Sequence, residues 1–236
     1  MKKYTISLID IIKNTEVPKE FFLSKPDKIS LHPNCAFNLP AGPEFSCPGA
    51  TEACKDCYAQ KGHHVFYNVK NVMAKNWVLI NNFEQSQNES GATNLLLNKI
   101  KPSATVFRIF ESGDFSSQFQ INVWTNVIRN RKQTLFWAYT RSFNFNYSKI
   151  VRQKNFTLWA STDSYNEKQA KCFIKRYASS NIKHAYGPYE HGKQLPNKSF
   201  ICPVTNHKIK ISGACERCKL CVVKGRTLKH VVFLKH

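Results

Sequence analysis

The feature that most constrains this chain is where its cysteines fall. Three lie within a single short run, Cys47-Pro-Gly-Ala-Thr-Glu-Ala-Cys54-Lys-Asp-Cys57. Four more gather toward the end: Cys202, Cys215, Cys218 and Cys221. Cys54 and Cys57 form a C-x2-C pair whose sulfurs reach one metal or one cluster, and Pro48-Gly49 turns Cys47 back toward them. In the second group, Cys215-x2-Cys218-x2-Cys221 with Cys202 upstream matches the ligand set of a [4Fe–4S] cluster. A structural zinc site also takes four cysteines, but normally as two separated C-x2-C pairs, so iron–sulfur is preferred and zinc is the alternative. The first group leaves more open. Three thiolates leave one iron of a cubane free, as in enzymes that bind S-adenosylmethionine, yet the gap from Cys47 to Cys54 departs from the usual C-x3-C-x2-C spacing. Cys35 is either a fourth ligand there or an ordinary buried cysteine. The chain holds one cluster shared by both groups, or two. Cys172, beside Phe173 in a helical pattern, reads as core.

Ligand chemistry fits the compartment the sequence implies. The start, Met1 to Asp10, resembles a signal peptide only briefly: Asp10 and Lys13 break the apolar run, and no small-residue cleavage site follows. No stretch reaches transmembrane length. The expectation is a cytoplasmic protein, where nine cysteines serve as ligands rather than disulfides. Lys plus Arg is 35 against 15 for Asp plus Glu, a net charge of +20. Such a surplus favours a polyanionic partner, nucleic acid first and an anionic membrane surface second. The densest basic region surrounds the last cysteines: Lys208, Lys210, Arg217, Lys219, Lys224 and Arg226. With aromatic side chains available for stacking, nucleic-acid contact is preferred there over a merely solvated face, with no membrane partner.

Between the cysteine groups the hydrophobic pattern alternates between strand and helix. Thr105–Phe110, Thr134–Tyr139 and Phe156–Ala160 are rich in β-branched and aromatic residues and read as strands, with Lys183–Gly187 as a fourth and Val231–Leu234 as a last short one. Helical spacing appears at Val65, Val69, Val72, Met73, Ile80 and Phe83, at Leu95–Ile100, at Phe119–Ile128, around Ile150, and at Ala170–Tyr177. The polar run Asn81–Gly91 reads as a loop. Strand followed by helix, repeated, implies a parallel sheet. The expected fold is α/β, a partial (β/α) barrel-like parallel sheet of five or six units with cysteine-rich N-terminal and C-terminal segments. It forms one domain over 1–236: an irregular segment 1–46, a β/α core 47–199, and a cysteine-rich basic tail 200–236.

In a parallel sheet the residues that follow each strand share the carboxyl edge, where α/β proteins place their sites. Glu111, Asp114 and Asp163 are therefore candidate catalytic carboxylates, able to orient a hydroxyl, act as a base or bind a metal. Capping a helix is the plain alternative for Asp114. Ser112, Thr140, Arg141 and Ser161 are candidate ligand-binding residues, with Arg141 placed to grip a phosphate or carboxylate. Arg108 lies within a strand and points either into the barrel or away from it. His63, His64, His184 and His191 are scattered and read as solvated or capping.

Several of these stretches together resemble one family: Asn38-Leu-Pro-Ala-Gly42, Cys47-Pro-Gly-Ala with Cys54-x2-Cys57-Tyr-Ala59, Ser112-Gly-Asp-Phe115, Phe136-Trp-Ala-Tyr-Thr-Arg-Ser142 and the closing cysteines. They look like the phage "gene product eighty-eight" family, itself distantly similar to radical S-adenosylmethionine proteins. The match covers roughly residues 38 to 235. It implies an iron–sulfur protein, a phage source and, with it, the host cytoplasm, but no particular reaction. The expected function is an iron–sulfur protein that binds nucleic acid. The alternatives are a radical S-adenosylmethionine-type enzyme with an open iron at Cys47, Cys54 and Cys57, and a zinc-stabilised nucleic-acid-binding module without catalysis.

Overall fold

The computed structural model describes residues 7–26, 28–30, 34–227 and 229–235. Most of the apolar start, Met1 to Ile6, lies outside the described residues, as does His236. The architecture is α/β. Eight strands form one open sheet: β1 (Leu23–Ser24), β2 (Ala36–Phe37), β3 (Val106–Ile109), β4 (Leu135–Thr140), β5 (Phe156–Thr162), β6 (Lys183–Tyr189), β7 (Ser199–Ile201) and β8 (His230–Leu234). Their order is β1-β2-β3-β4-β5-β6-β8-β7, with β1 antiparallel to β2 and every other neighbouring pair parallel. The strands expected from β-branched and aromatic runs are present within a residue or two. The segment 1–46, expected to be irregular, supplies the first two strands. Each is two residues long, too short to leave a periodic pattern.

The helices are α1 (Leu8–Lys13), α2 (Tyr67–Gln85), α3 (Glu89–Lys99), α4 (Gln118–Asn130), α5 (Ser148–Val151), α6 (Glu167–Arg176) and α7 (Ala214–Cys218). Val65 precedes α2, exposed in a short 3-10 turn. The polar run 81–91 is not a loop. Helix α2 continues to Gln85, and Asn88 starts α3 by accepting a hydrogen bond from the Gly91 amide at 2.8 Å. Polarity there marks solvated helix faces and a cap, not missing structure.

Alternation along the strands sorts side chains onto two faces. Phe107, Ile109, Phe136, Ala138, Phe156, Leu158 and Ala160 face the helices and join the main core with Trp124, Val127, Leu96 and Phe173. Val106, Leu135, Trp137, Tyr139 and Trp159 point the other way. That second face is covered by the cysteine-rich segment between β7 and β8, through Cys202, Cys215, Cys221 and Val222. Two hydrogen bonds fasten it: Trp159 Nε1 donates to the Cys221 carbonyl at 2.9 Å, and Thr157 Oγ1 to the Val222 carbonyl at 3.0 Å. Two main-chain bonds continue the seam, from the Cys215 and Glu216 amides to the Lys28 and Ile29 carbonyls.

Candidate functional site

The first cysteine group sits on the carboxyl edge of β4 and β5. Its chain runs through a 3-10 turn at Glu52–Asp56, and the Thr51 amide donates to Cys54 Sγ at 3.4 Å. Gly49 lies against the Arg141 carbonyl so closely that a Cβ there would stand 2.1 Å from its oxygen. Thr51 Oγ1 donates to Asp163 Oδ2 at 2.7 Å, and Arg141 Nε donates to the same oxygen at 3.1 Å. Arg141 Nη2 also donates to the Gly187 carbonyl at 3.1 Å. Asp114 braces the floor: its carboxylate accepts from the Arg141 amide and the Phe115 amide, each at 2.7 Å. The Asp114 amide donates to Ser46 Oγ, which lies 3.9 Å from Cys47 Sγ.

Electrostatics ties these groups together. Burial, with Asp114 adding to it, pushes the Cys47 thiol up to about 12. Cys57 is raised by burial and by Cys54, and lowered by Arg141. Burial lifts Asp114 to about 6, against the hydrogen bonds that favour its anion. The structure thus brings Cys47, Cys54, Cys57, Asp114, Arg141 and Asp163 to one edge. Arg141 is not a free guanidinium there, because Asp163 pairs with it. Ser112 and Thr140, expected to bind ligand, are buried in the protein's own frame: Ser112 Oγ donates to the Leu39 carbonyl at 2.9 Å, and Thr140 Oγ1 meets Tyr147 Oη at 3.1 Å and accepts from the Ser142 amide. Ser161 is half-buried, and its carbonyl accepts from Asn166 at 3.0 Å.

Glu111 belongs to a different set. Its buried carboxylate meets Lys28 Nζ at 3.2 Å. Burial works against its charge, but Lys28 and Arg108 outweigh it and hold the carboxyl below the ordinary range. Tyr58, next to Cys57, donates its hydroxyl to the Glu111 carbonyl and lies 3.5 Å from Arg108 Nη2. Arg108 points to the face away from the helices, with its Cζ 5.1 Å from the centre of the Tyr139 ring. Sequence reasoning passed over Tyr58, Lys28 and Tyr139. The visible signal for Arg108 and Tyr139 was their alternation with Phe107, Ile109, Phe136 and Ala138.

The second cysteine group lies on that same face. Cys202, Cys215 and Cys218 all act electrostatically on Cys221, whose thiol is driven upward by burial first and then by these neighbours. Cys215 is pushed to about 11 by burial, against the pull of Arg108 and Lys28. Among the described residues no three His, Cys, Asp or Glu side chains stand close enough to hold a single metal ion. All nine cysteines are free of disulfides. Cys35 is buried, as the plain expectation had it. Cys172, expected in the core, is exposed: Ala170 and Phe173 carry the buried side of α6, and Cys172 lies off that side.

Of the basic residues around the last cysteines, Lys208, Lys210, Arg217 and Arg226 are exposed, and Lys219 is half-buried. Lys224 is committed elsewhere: its Nζ donates to the Val151 and Gln153 carbonyls and so caps the end of α5.

His63 and His191 are exposed, but His64 and His184 are buried and are neither solvated nor capping. Burial, helped by neighbouring histidines, lowers each to about 4. Between pH 6.5 and 4 the unfolded chain therefore binds two protons that the folded chain refuses, so these two groups make stability fall as pH falls. Asp114 works in the opposite sense over part of this window, since its folded pKa lies above the unfolded one. Two histidines outweigh one aspartate. Melting temperature is expected to drop on acidification from pH 6.5 to 4, with each histidine contributing on the order of 2–3 kcal/mol. His184→Asn, which can keep the 2.9 Å contact with Thr162 Oγ1, should flatten the profile. A profile identical in wild type and variant would refute the assignment.

A family model described as Gene product 88 matches residues 11–224. The "Gene 88 protein" of Mycobacterium phage L5 is 32% identical over 209 residues, covering 84% of this chain and 85% of that protein. The "Gene 88 protein" of Mycobacterium phage D29 is 31% identical over 210 residues, with the same two coverages. Neither name states a ligand or a reaction. No solved structure matches the chain.

Proposed function

We propose that this chain, which belongs to the Gene product 88 family, is an iron–sulfur protein that binds nucleic acid through the basic surface of its C-terminal cysteine segment. The observation that carries the first half is the packing of three free thiols, Cys202, Cys215 and Cys221, against one sheet face, with the free thiol of Cys218 on the short helix α7 between them. Few apolar side chains back that segment, so ligation is the natural reason for it to hold its course. A zinc ion draws its thiolates to about 2.3 Å from one centre, whereas a cubane spreads its four thiolates over separate irons. Four cysteines in one segment suit the wider group, one thiolate to each iron. The sheet, with its helices on one face and this segment on the other, is read as a partial (β/α) barrel around the cysteines. When bound, such a cluster supplies one-electron chemistry. The chain's own residues hold it, exclude water through Trp159 and Tyr139, and set its surroundings.

The deciding experiment is anaerobic purification with iron and sulfide counts. A brown protein with broad absorption near ~400 nm is expected, and a colourless protein carrying stoichiometric zinc would refute the assignment.

The second half rests on charge. The exposed cations Lys208, Lys210, Arg217, Arg226 and Lys229 line one segment of a chain whose net charge is +20. Engagement of all five with phosphates implies that affinity falls by roughly two to three orders of magnitude between about 50 and 200 mM salt. Anisotropy titrations with labelled RNA and DNA measure this, and no binding to either at low salt removes nucleic acid from the function.

A specific observation favours one further reading, a radical S-adenosylmethionine-type enzyme. Cys47, Cys54 and Cys57 lie on the sheet's carboxyl edge beside the Arg141–Asp163 pair, where an amino-acid-bearing ligand would find both charges it needs. Reductive cleavage of S-adenosylmethionine by the reduced protein tests it.

A further inference from the structure

We infer that the nucleic acid this protein binds is single-stranded, and that its bases stack on an exposed aromatic surface of Tyr58, His63, Phe66 and Tyr67. This rests on the nucleic-acid reading above and deepens it by naming the strand form and the surface that grips the bases. The carrying observation is the run Val65-Phe66-Tyr67, which leads into α2 open to solvent. Phe66 is 64% exposed and Tyr67 55%. Neither ring joins a hydrophobic cluster among the described residues. Single exposed apolar residues are ordinary on a protein surface, but a contiguous run marks a place of contact. Helix formation does not explain these rings either. Phe66 holds the N-cap position of α2 without a side-chain bond, where serine or asparagine would serve the helix better.

The surface continues from this run toward the basic C-terminal segment. The Phe66 amide donates to the His63 carbonyl at 3.2 Å. The exposed His63 ring lies 4.0 Å from that of His64, which stands edge-on to Tyr58 at 5.8 Å. Tyr58 is exposed along its ring, while its hydroxyl is tied to the Glu111 carbonyl and fixes the plane. Lys28 Nζ lies 5.5 Å from the centre of that ring, and the Lys28 and Ile29 carbonyls accept from the Cys215 and Glu216 amides. One path therefore runs from the exposed cations Lys210 and Arg217 to Phe66 and Tyr67.

Charges at the ring end of this path largely pair off. Glu52 pairs with Lys55, Asp56 with Lys61 and Glu111 with Lys28, while Ser30 and Thr105 donate to the Glu216 carboxylate. That end offers planar faces rather than charge. The net charge of +20 draws in a polyanion, and a polyanion that also carries planar faces is a nucleic acid with its bases unpaired. A duplex hides those faces in its own stack, whereas a single strand presents each of them. Phosphates on Lys210 and Arg217 and bases on the rings engage both halves of one strand. Acyl chains would call for aliphatic side chains, and among these residues Val65 alone is aliphatic.

The test is fluorescence anisotropy of the full chain with a labelled single-stranded oligonucleotide, the same sequence as a duplex, and an abasic strand of equal length. Wild type is compared with Phe66→Ala, Tyr67→Ala and the conservative Phe66→Tyr, with Ile9→Ala, an exposed aliphatic on α1, as control. Wild type should bind the single strand more tightly than the duplex, and about tenfold or more tightly than the abasic strand. Phe66→Ala and Tyr67→Ala should each weaken single-strand binding about fivefold or more. Neither should change melting temperature or the slope of affinity against salt, because the lost contact carries no charge. Phe66→Tyr and Ile9→Ala should bind like wild type. Tighter binding of the duplex, or equal affinity for the intact and abasic strands, overturns the inference without reference to any variant. Unchanged binding by both alanine variants overturns it as well. Vesicles of phosphatidylserine and phosphatidylcholine form the second arm. Vesicle capture that depends on Phe66 and Tyr67, with oligonucleotide binding indifferent to them, gives the surface to a membrane and overturns the inference. No binding of wild type to any oligonucleotide at low salt overturns the underlying nucleic-acid function instead, so the two failures are distinguishable.

Discussion

Replacing Cys218 by alanine is expected to strip the iron from the C-terminal group and to release the segment between β7 and β8 from the sheet. Cys218 separates ligation from packing better than its neighbours do. Cys215 and Cys221 sit in apolar clusters, and their loss would also open space, whereas Cys218 belongs to neither. The segment has little else to hold it. Ala214 and Val222 are its buried apolar residues, and Lys219 at the end of α7 takes a left-handed conformation, with φ of 56°, that a non-glycine residue adopts only when held. It is anchored by the hydrogen bonds that Trp159 and Thr157 donate to it, by those that Lys224 donates to the Val151 and Gln153 carbonyls, by those that Ser30 and Thr105 donate to the Glu216 carboxylate, and by the seam at Lys28 and Ile29. Each contributes on the order of 1 kcal/mol net. Loss of a metal site falls in the uppermost class of single-residue effects, above about 4 kcal/mol. Calorimetry should therefore show a large drop in melting temperature, accompanied by protease sensitivity within residues 202–229. Cys172→Ala is the control: that thiol is exposed on α6 and should change neither iron nor melting. Wild-type iron content together with wild-type melting in Cys218→Ala would refute the ligand assignment.

How much of this was legible in the sequence depended on which faces an element buries. Strands β3, β4 and β5 are covered on both sides, so they read as largely apolar runs, and their ends were placed within a residue or two. Strands β1, β2 and β7 are two or three residues long and carry no period to detect. Asp114, Arg141, Asp163 and the first cysteines were correctly gathered to one edge, because parallel strands force the residues that follow them to that edge. Glu111 was gathered with them and does not belong. It is one residue beyond Phe110, whose φ of 60° turns the chain, and its carboxylate goes to Lys28 instead. No local pattern announces such a turn at a phenylalanine. The role of Tyr58 was hidden for another reason. A tyrosine in an aromatic-rich stretch looks like core until its hydroxyl partner, distant in sequence, is known. His64 and His184 failed similarly, since burial of a lone histidine leaves no mark on its neighbours. Cys172 was misplaced by one helical position: adjacency to Phe173 was taken for a shared face, although neighbours on a helix point about 100° apart.

Gly49→Ala should disable the first cysteine group while sparing the second. The reason is space rather than backbone conformation. A Cβ at Gly49 would stand 2.1 Å from the Arg141 carbonyl oxygen, 2.4 Å from its carbon and 2.9 Å from the Ser142 amide nitrogen. These are main-chain atoms at the end of β4, held by the Arg141 amide's bond to Asp114 and by the Ser142 amide's bond to Thr140 Oγ1. They cannot yield as a flexible side chain would, so the loop carrying Cys47, Cys54 and Cys57 must lift. Lifting it breaks the 2.7 Å bond from Thr51 to Asp163, on which Arg141 also rests. The cost should be about 1–3 kcal/mol, the usual range for forcing extra volume into a packed site. The expected signature is specific: iron falls by the share held at the first group, reductive cleavage of S-adenosylmethionine is lost if present, and the salt-dependent binding of nucleic acid is unchanged. Arg141→Ala isolates the side chain from the backbone contact. It leaves the carbonyl and amide in place, so iron should stay nearly intact while ligand binding at the edge weakens. If Gly49→Ala retains full iron and melts like wild type, the loop does not depend on this close approach, and the first cysteine group is not positioned by the edge of β4.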